Sequence, residues 1–240
     1  MNLIIDIGNT LQKIAVFNHG ECAYCQSFKI ITEDTLTSVF NQFSIKFSII
    51  SSVDDLDVHI VDFLDANSKM IHYSHQTKLP VKILYKSAET LGLDRIANAV
   101  GAATLFPAKN VLSIQAGTCL VFDFVNEKGE FLGGSISPGM KMRFDALHHN
   151  TKKLPHLTIT NSFPDLLGTC TFTSLSSGVI NGLRYEMDGF IDDYRAKYDN
   201  LVVLLTGGDA DYLQTLIKNT IFAAPNLVLK GLNEIIKYNV

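Results

Sequence analysis

Three short turns in this 240-residue chain carry residue types suited to holding phosphate. They are Asp6-Ile7-Gly8-Asn9-Thr10, Gln115-Ala116-Gly117-Thr118 and Leu205-Thr206-Gly207-Gly208-Asp209-Ala210. A Gly-rich turn after an apolar strand presents backbone N–H groups and hydroxyls to phosphate oxygens. A carboxylate just before such a turn can hold Mg²⁺, directly or through water. Asp6 stands in that place and interrupts an apolar strand, which is costly without a partner. Lys13 follows; it reaches phosphate as a point charge or stands on a solvated strand face. The paired Gly207 and Gly208 let a flat ring or a phosphate approach the backbone. Each turn alone reads equally well as a tight turn, and Asp209 as a helix cap. A fourth feature is Asp94-Arg95 in LGLDRIANAVGAA. Asp94 there is either a charge favourable to a helix N-terminus or a general base for a substrate hydroxyl.

These residues need strands and helices to place them. Apolar spacing predicts strands over 2–7, 12–17 and 22–30, and a β-rich segment over 44–53. It predicts helices over 33–43, 58–66 and 89–105, with an extended segment at 81–85 before the last. At Asn110 the strand pattern begins again. Laying Asp6 over Gln115 matches, without a gap, Leu3 with Leu112, Ile5 with Ile114, Gly8 with Gly117 and Leu11 with Leu120. Val16 then meets Val125, Gly20 meets Gly129 and Glu21 meets Glu130. Such a long period points to a duplicated domain rather than a solenoid. The expected organisation is two α/β lobes, 1–109 and 110–240, with a ligand in the cleft between them. A further strand over 201–205 would precede a helix opening at Asp211.

Composition narrows the class. Hydrophobic residues are 47% and charged residues 18%, so the chain is globular. A net charge of -4 argues against a nucleic-acid binder. The N-terminus has no basic leader, and no apolar run approaches the ~20 residues of a membrane span, so a cytoplasmic protein with no membrane partner is expected. Cys22 and Cys25 form a CxxC with no second pair; all four cysteines read as ordinary buried thiols. Adjacent His148 and His149 point in different directions on a helix, which disfavours a shared metal. Val179, Ile180, Leu183, Met187 and Ile191 form a helical stripe suited to a core or a dimer interface.

DIGNT at 6–10, GLDR at 92–95, QAGT at 115–118, GGSISPG at 133–139 and LTGGDA at 205–210 resemble, nearly end to end, the type III pantothenate kinases of the actin, sugar kinase and acetate kinase superfamily. The resemblance implies an α/β fold of two duplicated ribonuclease-H-like (actin-like ATPase) domains with mixed β-sheets and an inter-lobe nucleotide cleft. It implies ATP-dependent phosphorylation of pantothenate and a homodimer. Carried over by position, Asp6 through Lys13, including Gly8, Asn9 and Thr10, form the first phosphate loop, with Asp6 near Mg²⁺. Asp94 is the general base. Gly92, Leu93, Asp94 and Arg95 line the pantothenate pocket with Tyr85 and Thr171. Thr118 contacts nucleotide, as do Gly207 and Gly208. The family's monovalent cation, potassium or ammonium, is held by an aspartate whose place is taken here by Gln115. A carboxylate nearby, such as Asp123, could substitute. Two alternatives accompany this reading: a catalytically weakened nucleotide-binding or regulatory relative, and a kinase for another hydroxylated substrate.

Overall fold

The computed structural model describes residues 1–53, 56–157 and 163–240. Two compact units make up the chain. One comprises residues 1–107, 129–132 and 226–240; the other comprises 108–128 and 133–225.

In the first unit, β1 (Asn2–Ile7), β2 (Gln12–Asn18) and β3 (Glu21–Phe28) form an antiparallel meander. Helix α1 (Glu33–Gln42) leads to β4 (Phe47–Ser52), and α2 (Val58–Asn67) leads to β5 (Lys69–Ile71). Thr32 and Asp57 cap the two helices with side-chain oxygens on backbone N–H groups. The sheet runs β3-β2-β1-β4-β5, and β4 is parallel to both β1 and β5. Strand alternation sends Leu3, Ile5, Ile14, Val16 and Ile50 to one face, where they pack with Leu36, Val39, Ile60 and Leu64 of α1 and α2. The other face carries Asn2, Ile4 and Asp6; there Asn2 Nδ2 donates to Asn233 Oδ1 at 2.9 Å.

After β6 (Lys82–Ile83), a 3₁₀ turn at Ala88–Thr90 precedes α3 (Leu93–Leu105). The helix therefore opens at Leu93 rather than Glu89, because Leu91 and Gly92 are extended.

The second unit repeats the plan. Strands β7 (Val111–Ala116), β8 (Cys119–Val125) and β9 (Glu130–Pro138) are followed by α4 (Met140–His149) and the long α5 (Thr171–Lys197). Then come β10 (Val202–Thr206), α6 (Ala210–Leu213) and β11 (Phe222–Ala223). The order β9-β8-β7-β10-β11 reproduces that of the first sheet, with β7–β8 antiparallel and β7–β10 and β10–β11 parallel. The predicted stripe Val179, Ile180, Leu183, Met187 and Ile191 is core, packed against Leu112, Ile114, Phe122 and Phe124.

Three expectations change. The boundary near 109 stands close to the crossing at 107/108, but the chain returns: helix α7 (Leu227–Asn239) and residues 129–132 belong to the first unit. There α7 packs on α3, and Glu130 and Phe131 pair with Lys82 and Ile83. The ungapped repeat breaks after the loop. Asp6 pairs with Lys13 but Gln115 pairs with Val121, so the second turn is one residue shorter and Leu11–Leu120 and Val16–Val125 are not equivalent places. The cysteines are not buried: Cys22 and Cys25 are exposed because β3 is an edge strand, and Cys170 is exposed before α5.

Candidate active site

The first unit gathers Asp6, Lys13, Tyr85 and the GLDR segment. Asp6 lies in β1 between two register partners, Lys13 on β2 and Ser51 on β4. All three belong to the sheet face opposite the α1–α2 core. Burial first, then the neighbouring Asp94 carboxylate, pushes the Asp6 pKa up to about 6, while Lys13 opposes them. Asp6 and Asp94 are thus electrostatic neighbours although far apart in sequence. The Lys13 ammonium donates to Asn226 Oδ1 at 3.0 Å, at the start of α7. Ser51, 1% exposed, keeps a hydroxyl oxygen with no protein partner. At the tip of the β1–β2 turn Gly8 N donates to Leu11 O at 3.2 Å, and Asn9 and Thr10 are exposed.

Asp94 sits in the first turn of α3, where the helix dipole favours a carboxylate. Gly92 is the residue before the helix. A Cβ there would stand 2.5 Å from Asp94 Oδ1, so the carboxylate folds back over the glycine. Two side chains hold the backbone of this segment: Tyr73 Oη donates to Leu93 O at 2.9 Å, and His75 Nε2 donates to Leu91 O at 2.8 Å. Burial, then Asp94, raises the Tyr73 pKa, so it stays a donor. Arg95 is 8% exposed, with its guanidinium over the rings of Tyr85 (5.7 Å) and Phe131 (5.8 Å). Tyr73, His75, Ser51 and Phe131 stand against the candidate residues Leu93, Leu91, Asp6 and Arg95, and the sequence reading does not single them out. Only their contacts reveal them, since no motif contains them.

The second unit assembles the QAGT, PG and TGGD segments. Gly117 N donates to Cys119 O at 3.0 Å and closes the turn, leaving Thr118 exposed. Gly207 has φ +105°, and a Cβ on it would fall well inside van der Waals contact with Ala116 O. Asp209 N donates to that same carbonyl at 3.1 Å. Gly208 faces open space, as a ligand-facing glycine needs. Asp209 makes no side-chain cap to α6, contrary to the capping alternative; burial raises its pKa. Thr171 opens α5 and lines a cavity of about 440 Å³ with Leu147, Leu154 and Leu175. Gln115 Oε1 is buried and has no protein partner. Asp123 pairs with Ser113 in unbroken register, so it is a diagonal neighbour of Gln115 on one face and is fully buried. Among the described residues no three His, Cys, Asp or Glu side chains form a metal cluster.

The duplicated order with a Gly-rich turn after the first strand of each unit defines an actin-like ATPase and sugar kinase fold. A glucokinase from an Antarctic psychrotroph shares it at a TM-score of 0.52 and 10% identity, covering 100% of this chain and 99% of that one. A Baf family protein from Campylobacter jejuni shares it at a TM-score of 0.61 and 23% identity, covering 99% and 98%. The family model for type III pantothenate kinase matches residues 2–193. A type III pantothenate kinase from Phocaeicola vulgatus is 43% identical over 242 residues, spanning 100% of this chain and 99% of that one. The chain belongs to the type III pantothenate kinase family. It is a kinase, and the regulatory and other-substrate alternatives are not favoured.

Proposed function

We propose that this kinase transfers the γ-phosphoryl group of ATP to the hydroxyl of pantothenate, the first step of coenzyme A synthesis, with Asp94 as general base. The observation that carries the assignment is the Asp94 carboxylate at the start of α3, beside Asp6 and folded over Gly92. A base in that position accepts the hydroxyl proton as the phosphoryl group arrives. Arg95 is buried against two rings and held in one orientation, which suits a guanidinium that recognises the carboxylate of pantothenate bidentately. Tyr85, Gly92 and Leu93 shape that pocket. Gly8, Asn9, Thr10 and Lys13 hold phosphate from the first turn, and Thr118, Gly207 and Gly208 contact nucleotide from the second unit.

The donor set suits Mg²⁺. Asp6 supplies a carboxylate, the orphaned Ser51 hydroxyl lies on the next strand, and hard cations take oxygen ligands. Bound there, Mg²⁺ would neutralise phosphate charge. The raised pKa of Asp6 marks a buried carboxylate lacking enough positive charge of its own. The potassium or ammonium site does not fit as well. Gln115 offers an orphaned carbonyl oxygen but no formal charge, and at about 4 Å that charge is worth roughly 4 kcal/mol at an effective dielectric of about 20. On this reading the kinase works without a bound monovalent cation, the alternative being that the buried Asp123 carboxylate, diagonal to Gln115, supplies the charge. A cytoplasmic homodimer completes the reading. Leu166 and Leu167 are 72% and 78% exposed, and Phe163 and Phe172, near them in sequence, are exposed too; exposed apolar side chains of this kind suit contact with a second copy.

The test is direct. Purified protein with ATP, Mg²⁺ and pantothenate should form phosphopantothenate. Asp94→Asn should remain folded and lose ~10²–10⁴-fold in kcat. A fully active Asp94→Asn enzyme would remove Asp94 from its role.

A further inference from the structure

The second phosphate loop has a support outside all five motif roles. Gly139 N donates to Thr118 O at 3.1 Å. A Cβ on Gly139 would overlap Gly117 O and stand 2.6 Å from Thr118 O. The corner between β9 and α4 therefore lies directly on the peptide that carries Thr118. What fixes that corner is a guanidinium. Arg143 Nε donates to Pro138 O at 2.8 Å, and Nη2 donates to Ser137 Oγ at 3.3 Å and to Glu186 Oε2. Ser137 Oγ in turn donates to Glu186 Oε1, so one carboxylate on α5 receives both the guanidinium Nη2 and the Ser137 hydroxyl. Both side chains are about one-fifth exposed, at 23% and 21%.

We propose that Arg143 and Glu186 are positioning residues for nucleotide: a brace that sets the Pro138–Gly139 peptide and, through it, the orientation of Thr118. An isolated surface ion pair contributes little to stability. This pair differs because the same guanidinium also donates to Pro138 O and Ser137 Oγ, on the two residues preceding Gly139. The planar fork matters, since an ammonium cannot reach Pro138 O, Ser137 Oγ and the carboxylate in one fixed plane. Glu186 lies forty-seven positions beyond Gly139 and belongs to no motif itself; its carboxylate meets the GGSISPG segment through Ser137 and through Arg143. The brace rests on the reading that Thr118 contacts nucleotide.

The experiment measures MgADP binding by calorimetry, KM for ATP, KM for pantothenate, kcat and Tm. It uses the full chain and the variants Arg143→Lys, Glu186→Gln and Thr118→Ala. Thr118→Ala should weaken MgADP. Arg143→Lys should raise the MgADP Kd and the ATP KM about tenfold, the equivalent of one lost charge-assisted contact, with kcat and pantothenate KM within about twofold. Glu186→Gln should act in the same direction and less. A merely structural role would lower Tm without separating the two KM values. If Thr118→Ala weakens nucleotide and Arg143→Lys does not, the brace is refuted alone. If neither does, the nucleotide role of the second loop falls with it.

Discussion

Gly92→Ala separates the position of Asp94 from the stability of the fold. Gly92 has φ −54° and ψ 132°, which any L residue adopts, so alanine brings no backbone strain. Its Cβ would meet Asp94 Oδ1 at 2.5 Å, while ordinary contact begins at 3.4 Å. The obstacle is the end of a side chain, so the carboxylate retreats by roughly 0.9 Å and the helix stays. A misplacement of ~1 Å in a catalytic group can cost ~10²-fold. Losing general-base catalysis outright costs ~10²–10⁴-fold. We therefore expect kcat/KM for pantothenate to fall roughly 30–100-fold, no further than in Asp94→Asn. Stability should hardly move. Alanine is a poorer cap than glycine by several tenths of a kcal/mol, and reduced freedom in the unfolded chain returns about 0.4–1 kcal/mol. A net change below about 1 kcal/mol shifts Tm by under ~4 °C. A coupled assay for ADP release and a thermal melt suffice. Full activity would show that the carboxylate has no required place. A Tm drop of ~10 °C would show that the fold, not the carboxylate, had been disturbed.

Three further outcomes follow from the same site. Asp6 has a folded pKa near 6 against an ordinary 3.8, so the folded chain binds a proton that the unfolded chain releases, and stability falls as pH rises from about 4 to 6. In metal-free protein, Asp6→Asn should stabilise by up to about 3 kcal/mol at pH 8 and by nothing near pH 3.5, in chemical denaturation at both pH values; equal effects at both would refute the shift. Exchanging sodium for potassium or ammonium should change kcat/KM by less than about twofold, and Gln115→Asp should introduce potassium stimulation, since it restores a charge worth roughly 4 kcal/mol; strong stimulation of the unaltered chain would mean that the ion has another ligand. Light scattering should give a dimer, and Leu166→Glu with Leu167→Glu should shift it to monomer by placing charges on an apolar contact; an unchanged dimer would locate the interface elsewhere.

The parts of the fold legible in the sequence are those with a local period. Alternation at Leu3, Ile5, Ile14 and Val16 marks β1 and β2, and the matched glycines mark a second copy of the hairpin. The rest depends on long-range pairing, which leaves no local trace. Nothing between 226 and 240 says that α7 returns to the first unit. Its register on α3 is set by backbone approach, where a Cβ on Gly101 would meet Leu227 O at 2.6 Å. The one-residue difference between the hairpins was invisible because apolar residues match apolar residues in either register. The site divides in the same way. Carboxylates in strands and helix starts stand out by type, which is why Asp6 and Asp94 were singled out. Tyr73, His75 and the Arg143–Glu186 pair act by holding backbone carbonyls or each other, and such residues look like any polar side chain until their partners are known.

The corrected register gives the duplication a chemical meaning. In the first hairpin the partners across the sheet are Asp6 and Lys13; in the second the same places hold Gln115 and Val121. One strand frame therefore carries a charged pair in one unit and a neutral pair in the other. The carboxylate on this face of the second hairpin is Asp123, buried and diagonal to Gln115 rather than in its place. What the second turn has is geometry: Gly139 on one side and Gly207 with Asp209 on the other touch the carbonyls of residues 116–118. The N–H groups of Gly117, Gly139 and Asp209 are spent on Cys119 O, Thr118 O and Ala116 O, so backbone hydrogen bonds fix the turn. The charged side chains Asp6, Lys13 and Asp94 all lie in the first unit, whereas the second turn is built on glycine contacts. The glycine contacts hold this turn without calling on the side chain of Gln115.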